Sequence, residues 1–269
     1  MRAFASQTSL VLEKVHLADA ERRAQLLQES DDLKSTLLSS VSHELRTPLS
    51  TIKASVSSLR SGEIDWNSDA RKELLSAVEE ETDHLNQLVG NLLDMSRIDM
   101  GALHPNQKSN VLREILNGTI RRMRQQLARH ILTINIPENL PLVYVDYSQL
   151  DQVFGNLLSN SAKYAPEKTR ITVKAFPLQS NLIQVQVINQ GPPVAEEHLT
   201  RIFDKFYRVT DAELIPGTGL GLSICKGIIE AHQGKIWAEN GKDGFTFNFT
   251  IPVASRQILT ADFEGKELE

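Results

Sequence analysis

Apolar residues recur at three- and four-residue steps at Leu38, Val41, Leu45, Leu49, Ile52, Val56 and Leu59, the spacing of one face of an amphipathic helix. From about Ser9 to Arg60 the chain is rich in Glu, Arg, Gln and Leu and has no Gly or Pro before Pro48, which predicts one long helix. The steps from Leu38 to Leu49 are three, four and four, an interruption of a heptad register that alters supercoiling locally. Pro48 lacks an amide donor and crowds the carbonyl of Glu44, so a bend is expected there. Ser61, Gly62 and Asn67 punctuate a loop. A second stripe at Leu74, Val78, Leu85, Leu88, Leu92 and Met95 then marks a helix to about Asp99. Such a hairpin has little core of its own, and pairing with a second copy would bury both stripes in a four-helix bundle. A homodimer is expected.

Gly101 to Asn110, with Pro105, reads as a linker. Beyond it the periods mix. Helices are expected at Val111 to Leu127, Tyr147 to Tyr164 (with Asp146 as cap), Ala195 to Tyr207 and Leu220 to His232. Strand-like runs stand at Ile131 to Ile136, Leu142 to Val145, Ile171 to Phe176, Leu182 to Asn189, Lys235 to Glu239 and Phe245 to Val253. This is an α/β layer arrangement with helices on one face of a sheet. The tail after Ala254 carries little pattern.

A chain of 269 residues has room for two modest domains. Its net charge of -5 and its lack of a basic cluster give no support to nucleic-acid binding. No apolar run approaches the ~18 residues of a membrane span, and the start Met-Arg-Ala-Phe lacks a signal-peptide core. A cytosolic location without direct membrane contact is expected. The lone Cys225 is read as a small buried residue, with neither disulfide nor zinc assigned.

Several groups stand out against this frame. His43 lies two residues from both Val41 and Leu45, which turns it about 200° from each at ~100° per residue, away from the stripe. An exposed imidazole beside the carboxylate of Glu44 is a candidate phosphoryl acceptor. On the helix Tyr147 to Tyr164, Asn156, Asn160 and Lys163 share a narrow arc beside the core face. They suit a metal-bound polyphosphate, amide oxygens on Mg²⁺ and the lysine on phosphate, or equally form a solvated flank. Gly217, Gly219 and Gly221 lead into a helix, either as a phosphate-approaching loop or as a flexible turn. The run does not fit the dinucleotide fingerprint, since no strand directly precedes it. Arg208 could reach phosphate from a lid between Tyr207 and Pro216. Asn189 closes the face Ile183, Val185, Val187 with a polar tip, placed to read a base edge or to form a turn before Gly191.

Taken in order, these pieces resemble the transmitter of sensor histidine kinases from two-component systems. The phosphoacceptor box is Ser42 to Ser50, the N box DQVFGNLLSNSAKYA from Asp151 to Ala165, the F box Arg201 to Arg208 and the glycine-rich G2 box Gly217 to Leu222. The stretches VGNLLDMSRIDMGAL and GIIEAHQGKIWAEN look most like the Kdp-type potassium sensor kinases. The resemblance implies a signalling helix over 1–29, the end of an upstream GAF domain. It implies a dimerisation and histidine-phosphotransfer domain over 30–100, a linker over 101–110, an ATP-binding α/β sandwich of the Bergerat (GHKL) fold over 111–254 and a tail over 255–269. It further implies that His43 attacks the γ-phosphate of Mg·ATP, that Glu44 orients the ring and takes its proton, and that Thr47 helps place water in a phosphatase reaction. Asn160 would hold Mg²⁺ with Asn156 assisting, Lys163 would meet phosphate, and Tyr164, Asn189, Gly191 and Arg208 would lie against the nucleotide. Gly217, Thr218, Gly219, Leu220 and Gly221 of the G2 box would contact it as well. The phosphoryl group would pass on to an aspartate of a response regulator receiver domain.

One box departs. The family's Asp-x-Gly-x-Gly is here Asn189-Gln190-Gly191-Pro192-Pro193. An asparagine oxygen can still accept a hydrogen bond from adenine's amino group, but without charge assistance, a loss of about 1 to 2 kcal/mol. Two readings therefore stand: an ATP-dependent protein-histidine kinase, and a nucleotide-impaired dimeric scaffold or response-regulator phosphatase. A chaperone- or topoisomerase-like ATPase shares the fold but would have no need of His43 and Glu44.

Overall fold

The structure is a computed structural model that describes residues 22, 41–42, 44–61, 69–179, 181–209 and 218–254. His43, Gly62, Asn67, Gly217 and the tail lie outside the described residues, as do most of the expected signalling helix and most of the expected lid. The chain divides into two compact units, residues 1–85 and 86–269. No described helix is long and apolar enough to cross a membrane.

In the first unit α1 is helical over 44–60 and runs on through Pro48. The helix α2 (Asp69–Asp99) begins five residues before Leu74, the first position of its stripe. On α1 the buried positions are Pro48 and Ser55, with Leu45, Ile52 and Leu59 half-buried beside them. Leu49 and Val56 instead remain 55% and 40% exposed. The apolar stripe is thus wider than one hairpin covers, because a single neighbouring helix shields only one side of it.

The second unit holds the sheet. Its five strands run in the order β2 (Ile131–Asn135), β4 (Arg170–Pro177), β5 (Leu182–Asn189), β7 (Gly244–Pro252), β6 (Ile236–Gly241). The pair β2 and β4 is parallel and the rest antiparallel. Alternation along β4 and β5 buries Ile171, Val173, Ala175, Ile183, Val185 and Val187. Against them pack α3 (Leu112–Arg122), α5 (Tyr147–Tyr164) and α7 (Gly221–Ala231). Phe154 of α5 meets Phe249 of β7 edge-on at 5.7 Å, one of the directional contacts in this core. From Asn86 onward α2 belongs to the same unit: Met95 is buried with the core, and Asp94 accepts from Gln152 Nε2 at 2.8 Å.

Most element boundaries agree with the periodicity to within one or two residues, and three expectations need correction. The linker ends in a strand, β1 (Lys108–Asn110), paired with β3 (Val143–Val145). Its three residues are too few and too polar to carry an alternating signal. The helix expected at Val111 to Leu127 is two, α3 and α4 (Arg124–Leu127), broken at Met123 where ψ rises to 14°. The helix expected at Ala195 to Tyr207 is a four-residue α6 (Glu196–Leu199) and a 3-10 turn at Arg201–Phe203. Its apolar spacing is kept, with Ile202 and Phe203 buried, but Phe206 at φ 61° ends any helix there.

Asp146 caps α5 as expected, its side chain accepting from Ser148 N and Gln149 N. Burial by itself raises the carboxyl's pKa, but hydrogen bonds from the Ser148 hydroxyl and from the amides of Asn106, Gln149 and Ser148 outweigh it and hold Asp146 below the usual range. The amide of Asp146 donates to Nε2 of His232 at 2.9 Å, and His232 Nδ1 lies 2.8 Å from the Ile228 carbonyl. An amide only donates and a carbonyl only accepts, so the ring is neutral with its proton on Nδ1. Burial lowers the His232 pKa, against smaller raising effects of the Ile228 carbonyl and the Asp146 charge. The folded ring therefore binds protons less readily than the unfolded one. Its contribution to stability is whole above the unfolded pKa of about 6.5 and is lost as pH falls through the folded value. In urea titrations the unfolding midpoint should drop between pH 7.5 and pH 5.5, and His232→Gln should flatten that drop.

Candidate functional site

The last turns of α5, the end of β5 and the start of α7 come together in the second unit. In α5 the residues Leu150, Val153, Phe154, Leu157, Leu158 and Ser161 face the core. Asn156 sits at that face's edge, 7% exposed. Its Nδ2 donates to the Gly221 carbonyl at 3.2 Å, and its side chain also bonds the Cys225 thiol. Burial pushes that thiol up to about 12, so Cys225 is an inert packing residue, as expected. Asn156 is thus a brace between α5 and α7. Asn160, one turn on and half-buried, donates from Nδ2 to the Asn156 carbonyl at 2.9 Å. Lys163 and Tyr164 follow on the exposed side of the same turn.

At α7 the chain enters through Thr218, Gly219 and Leu220. Thr218 Oγ1 accepts from the Leu220 amide at 3.3 Å, Leu220 is fully buried, and Gly219 sits at φ 70°. A Cβ on Gly219 would lie 2.8 Å from the Phe206 carbonyl carbon, and Gly219 in turn accepts from the Phe206 amide at 3.2 Å. The F box and the G2 box are therefore clasped backbone to backbone, and α7 starts there with its first amides and the positive end of its dipole. Arg208, half-buried, follows two residues after the clasp.

Asn189 ends β5 with 2% exposure, paired in register with Ile171 and Phe245. Its Oδ1 is buried without a hydrogen-bond partner, and so is Ser161 Oγ on α5. An unpaired buried acceptor costs about 1 to 3 kcal/mol. A Cβ on Gly191 would lie 3.0 Å from both Asn189 Nδ2 and the Tyr164 carbonyl. The asparagine tip and the end of α5 are thus within one methyl's reach of a common point.

Of the expected site residues, the structure brings together Asn156, Asn160, Lys163, Tyr164, Asn189, Gly191, Thr218, Gly219, Leu220 and Gly221 on converging elements. Glu44, half-buried, and Thr47, exposed, lie on α1 in the other unit. His43 and Gly217 lie outside the described residues. Sequence reasoning missed three supports. Asn240 holds Val194 by both its amide and its carbonyl, at 3.0 and 2.7 Å, and Gln190 Oε1 accepts from the Arg170 amide at 2.9 Å. Gly244, at φ 129°, passes so close over the Asn189 carbonyl that a Cβ would lie 2.1 Å from it. All three bridge residues that no local pattern connects. Among the described residues no group of three His, Cys, Asp or Glu could hold a metal ion, so any cation here would rest on carboxamide, water and phosphate oxygens.

The comparisons with known proteins agree with this architecture. A model of the His Kinase A (phospho-acceptor) domain matches residues 33–101, and one of the histidine kinase-, DNA gyrase B- and HSP90-like ATPase matches residues 145–255. The chain is 33% identical over 252 residues to the sensor protein KdpD of Clostridium acetobutylicum, covering 91% of this chain and 28% of that protein. It is 32% identical over 269 residues to the adaptive-response sensory kinase SasA of Thermosynechococcus vestitus, covering 94% of this chain and 70% of that one. The crystal structure of histidine kinase ThkA in complex with response regulator protein TrrA superposes with a TM-score of 0.56 at 25% identity, over 80% of this chain and 60% of that one. The chain belongs to the sensor histidine kinases, with a phospho-acceptor hairpin followed by an ATPase α/β sandwich. It spans about 28% of the length of the KdpD relative.

The clasp can be tested without a ligand. Gly219→Ala places a side chain in a left-handed conformation that disfavours it by about 1 to 2 kcal/mol, before the contact with Phe206 is counted. Its thermal midpoint should fall. Gly90→Ala, where a Cβ meets nothing within 4 Å, should hold or raise it, since alanine gains about 0.5 to 1 kcal/mol in a helix.

Proposed function

We propose that this chain is the catalytic part of a sensor kinase that transfers the γ-phosphoryl group of Mg·ATP to His43 and then to an aspartate of a response regulator. The observation that carries the reading is the junction where Asn156 bonds Gly221, together with the unpartnered Asn189 Oδ1 at the end of β5, in a domain matched by the ATPase family. The adenine amino group would supply the missing donor to Asn189, with Gly191 and Tyr164 beside it. The triphosphate would lie along Thr218, Gly219, Leu220, Gly221 and the α7 N-terminus, met by Lys163 and Arg208. Asn160 would hold Mg²⁺ through its carboxamide oxygen, with Asn156 assisting from its braced position, and the cation supplies charge neutralisation at the phosphates.

In the transfer a ring nitrogen of His43 forms a bond to the γ-phosphorus as the bond to the β-bridging oxygen breaks and ADP leaves. Glu44 orients the imidazole and takes the proton its other nitrogen sheds. Phosphohistidine then yields its phosphoryl group to the carboxylate of a receiver domain; ThkA was crystallised with a response regulator protein. The exposed Leu49 and Val56 support a homodimer through α1, and Thr47 would help position water when phosphate is hydrolysed from the regulator's aspartate. A second reading is favoured by the Asn189 to Pro193 departure: a dimeric scaffold or regulator-directed phosphatase that binds nucleotide weakly.

Incubation with γ-labelled ATP and Mg²⁺ separates the two. The kinase reading expects acid-labile label on the unmodified chain, absent from His43→Gln and retained by Asn189→Asp. A chain that stays unlabelled while still releasing phosphate from a phosphorylated receiver domain would overturn it in favour of the phosphatase.

A further inference from the structure

Asn189 Oδ1 is a buried polar atom without a partner at the end of β5, and its residue is 2% exposed. The Tyr164 carbonyl lies beside the Gly191 position that Asn189 also touches. The tip of Asn189 has no fixed polarity. A carboxamide carries an acceptor and a donor that exchange by a half-turn of its planar end.

That matters for which base the cleft takes. Adenine offers an amino group at its six position, a donor. Guanine offers a carbonyl oxygen there, an acceptor. A carboxylate at position 189 could only accept, so guanine would set lone pairs against lone pairs and leave two buried acceptors unpaired, the kind of mismatch that rejects an analogue by up to ~10⁴-fold. Asn189 meets either base: Oδ1 accepts from the amino group, or, after the half-turn, Nδ2 donates to the carbonyl.

We infer that Asn189 makes this a purine nucleotide site of low base discrimination, accepting guanosine as well as adenosine triphosphate. The inference rests on the nucleotide-binding reading above and names the substrate class of that same cleft.

The test is calorimetric titration of the whole chain with the magnesium complexes of ATP, GTP and CTP. The expected result is ATP and GTP affinities within about tenfold of one another, with CTP weaker than both. Asn189→Asp should lower GTP affinity at least about tenfold while leaving or raising that for ATP, because the carboxylate removes the donor. Wild-type discrimination against GTP beyond about a hundredfold overturns the inference. CTP binding equal to the purines overturns it too, since the base is then not read. So does an Asn189→Asp chain with an unchanged ATP to GTP ratio. A variant that melts below the titration temperature leaves the wild-type ratio to decide. Binding of ATP alone removes this inference and leaves the kinase reading standing, whereas binding of neither nucleotide removes both.

Discussion

The site depends on a place where backbone meets backbone with no room for a side chain. Gly244 crosses the Asn189 carbonyl, and Gly191 approaches the Tyr164 carbonyl. The first fixes where β7 begins relative to the end of β5, and the second fixes where the chain leaving β5 meets the end of α5. A β-carbon on Gly244 would push β7 away from the end of β5, which carries Asn189, while one on Gly191 would only tighten its contact with the Tyr164 carbonyl. Close packing turns such contacts into hard limits, since protein interiors give by tenths of an ångström rather than by a methyl group. The polar groups of the site are thus held by sterics they take no part in.

How much of this was legible in the sequence follows from what each signal depends on. The core face of α5, the alternation of β5 and the Asp146 cap are set by residues within a turn or two of one another, and all three appear where the periodicity places them. Strand β1 exists only because β3 lies beside it, and Lys108 to Asn110 carry no pattern of their own. The break at Met123 is equally silent, because apolar spacing continues on both sides of it. In the F box the spacing of Leu199, Ile202, Phe203 and Phe206 identified core residues correctly and mistook their backbone for helix. A 3-10 turn and a residue at positive φ can present the same side chains inward.

The candidate site shows the same division. Motif order identified the polar residues that converge, but the hydrogen bonds that hold them could not be read from it. Asn156 is an example. As one of three polar residues on an arc it fits a metal ligand or a solvated flank equally well, while in the fold it is a buried strut joined to Gly221 and Cys225. Its neighbour Asn160 is half-buried, with its nitrogen bonded to the Asn156 carbonyl. The distinction comes from which face α7 covers, which no reading of α5 alone contains.

The departure at Asn189 to Pro193 changes the charge of the base end and also how the segment is held. In the family pattern a second glycine keeps this stretch flexible, whereas here Pro192 and Pro193 each restrict φ to about -65°. Gln190 ties the start of the segment to the Arg170 amide, and Asn240 ties its end to both polar groups of Val194. The segment is anchored on each side of the proline pair, and the ordering cost of a flexible loop is met in folding rather than on binding. A neutral carboxamide gives a weaker hydrogen bond than a carboxylate, while a preset loop leaves less entropy to lose when a ligand arrives. These effects oppose one another, each of order 1 kcal/mol. On the nucleotide reading proposed above, an asparagine in the family's aspartate position does not by itself disable the site.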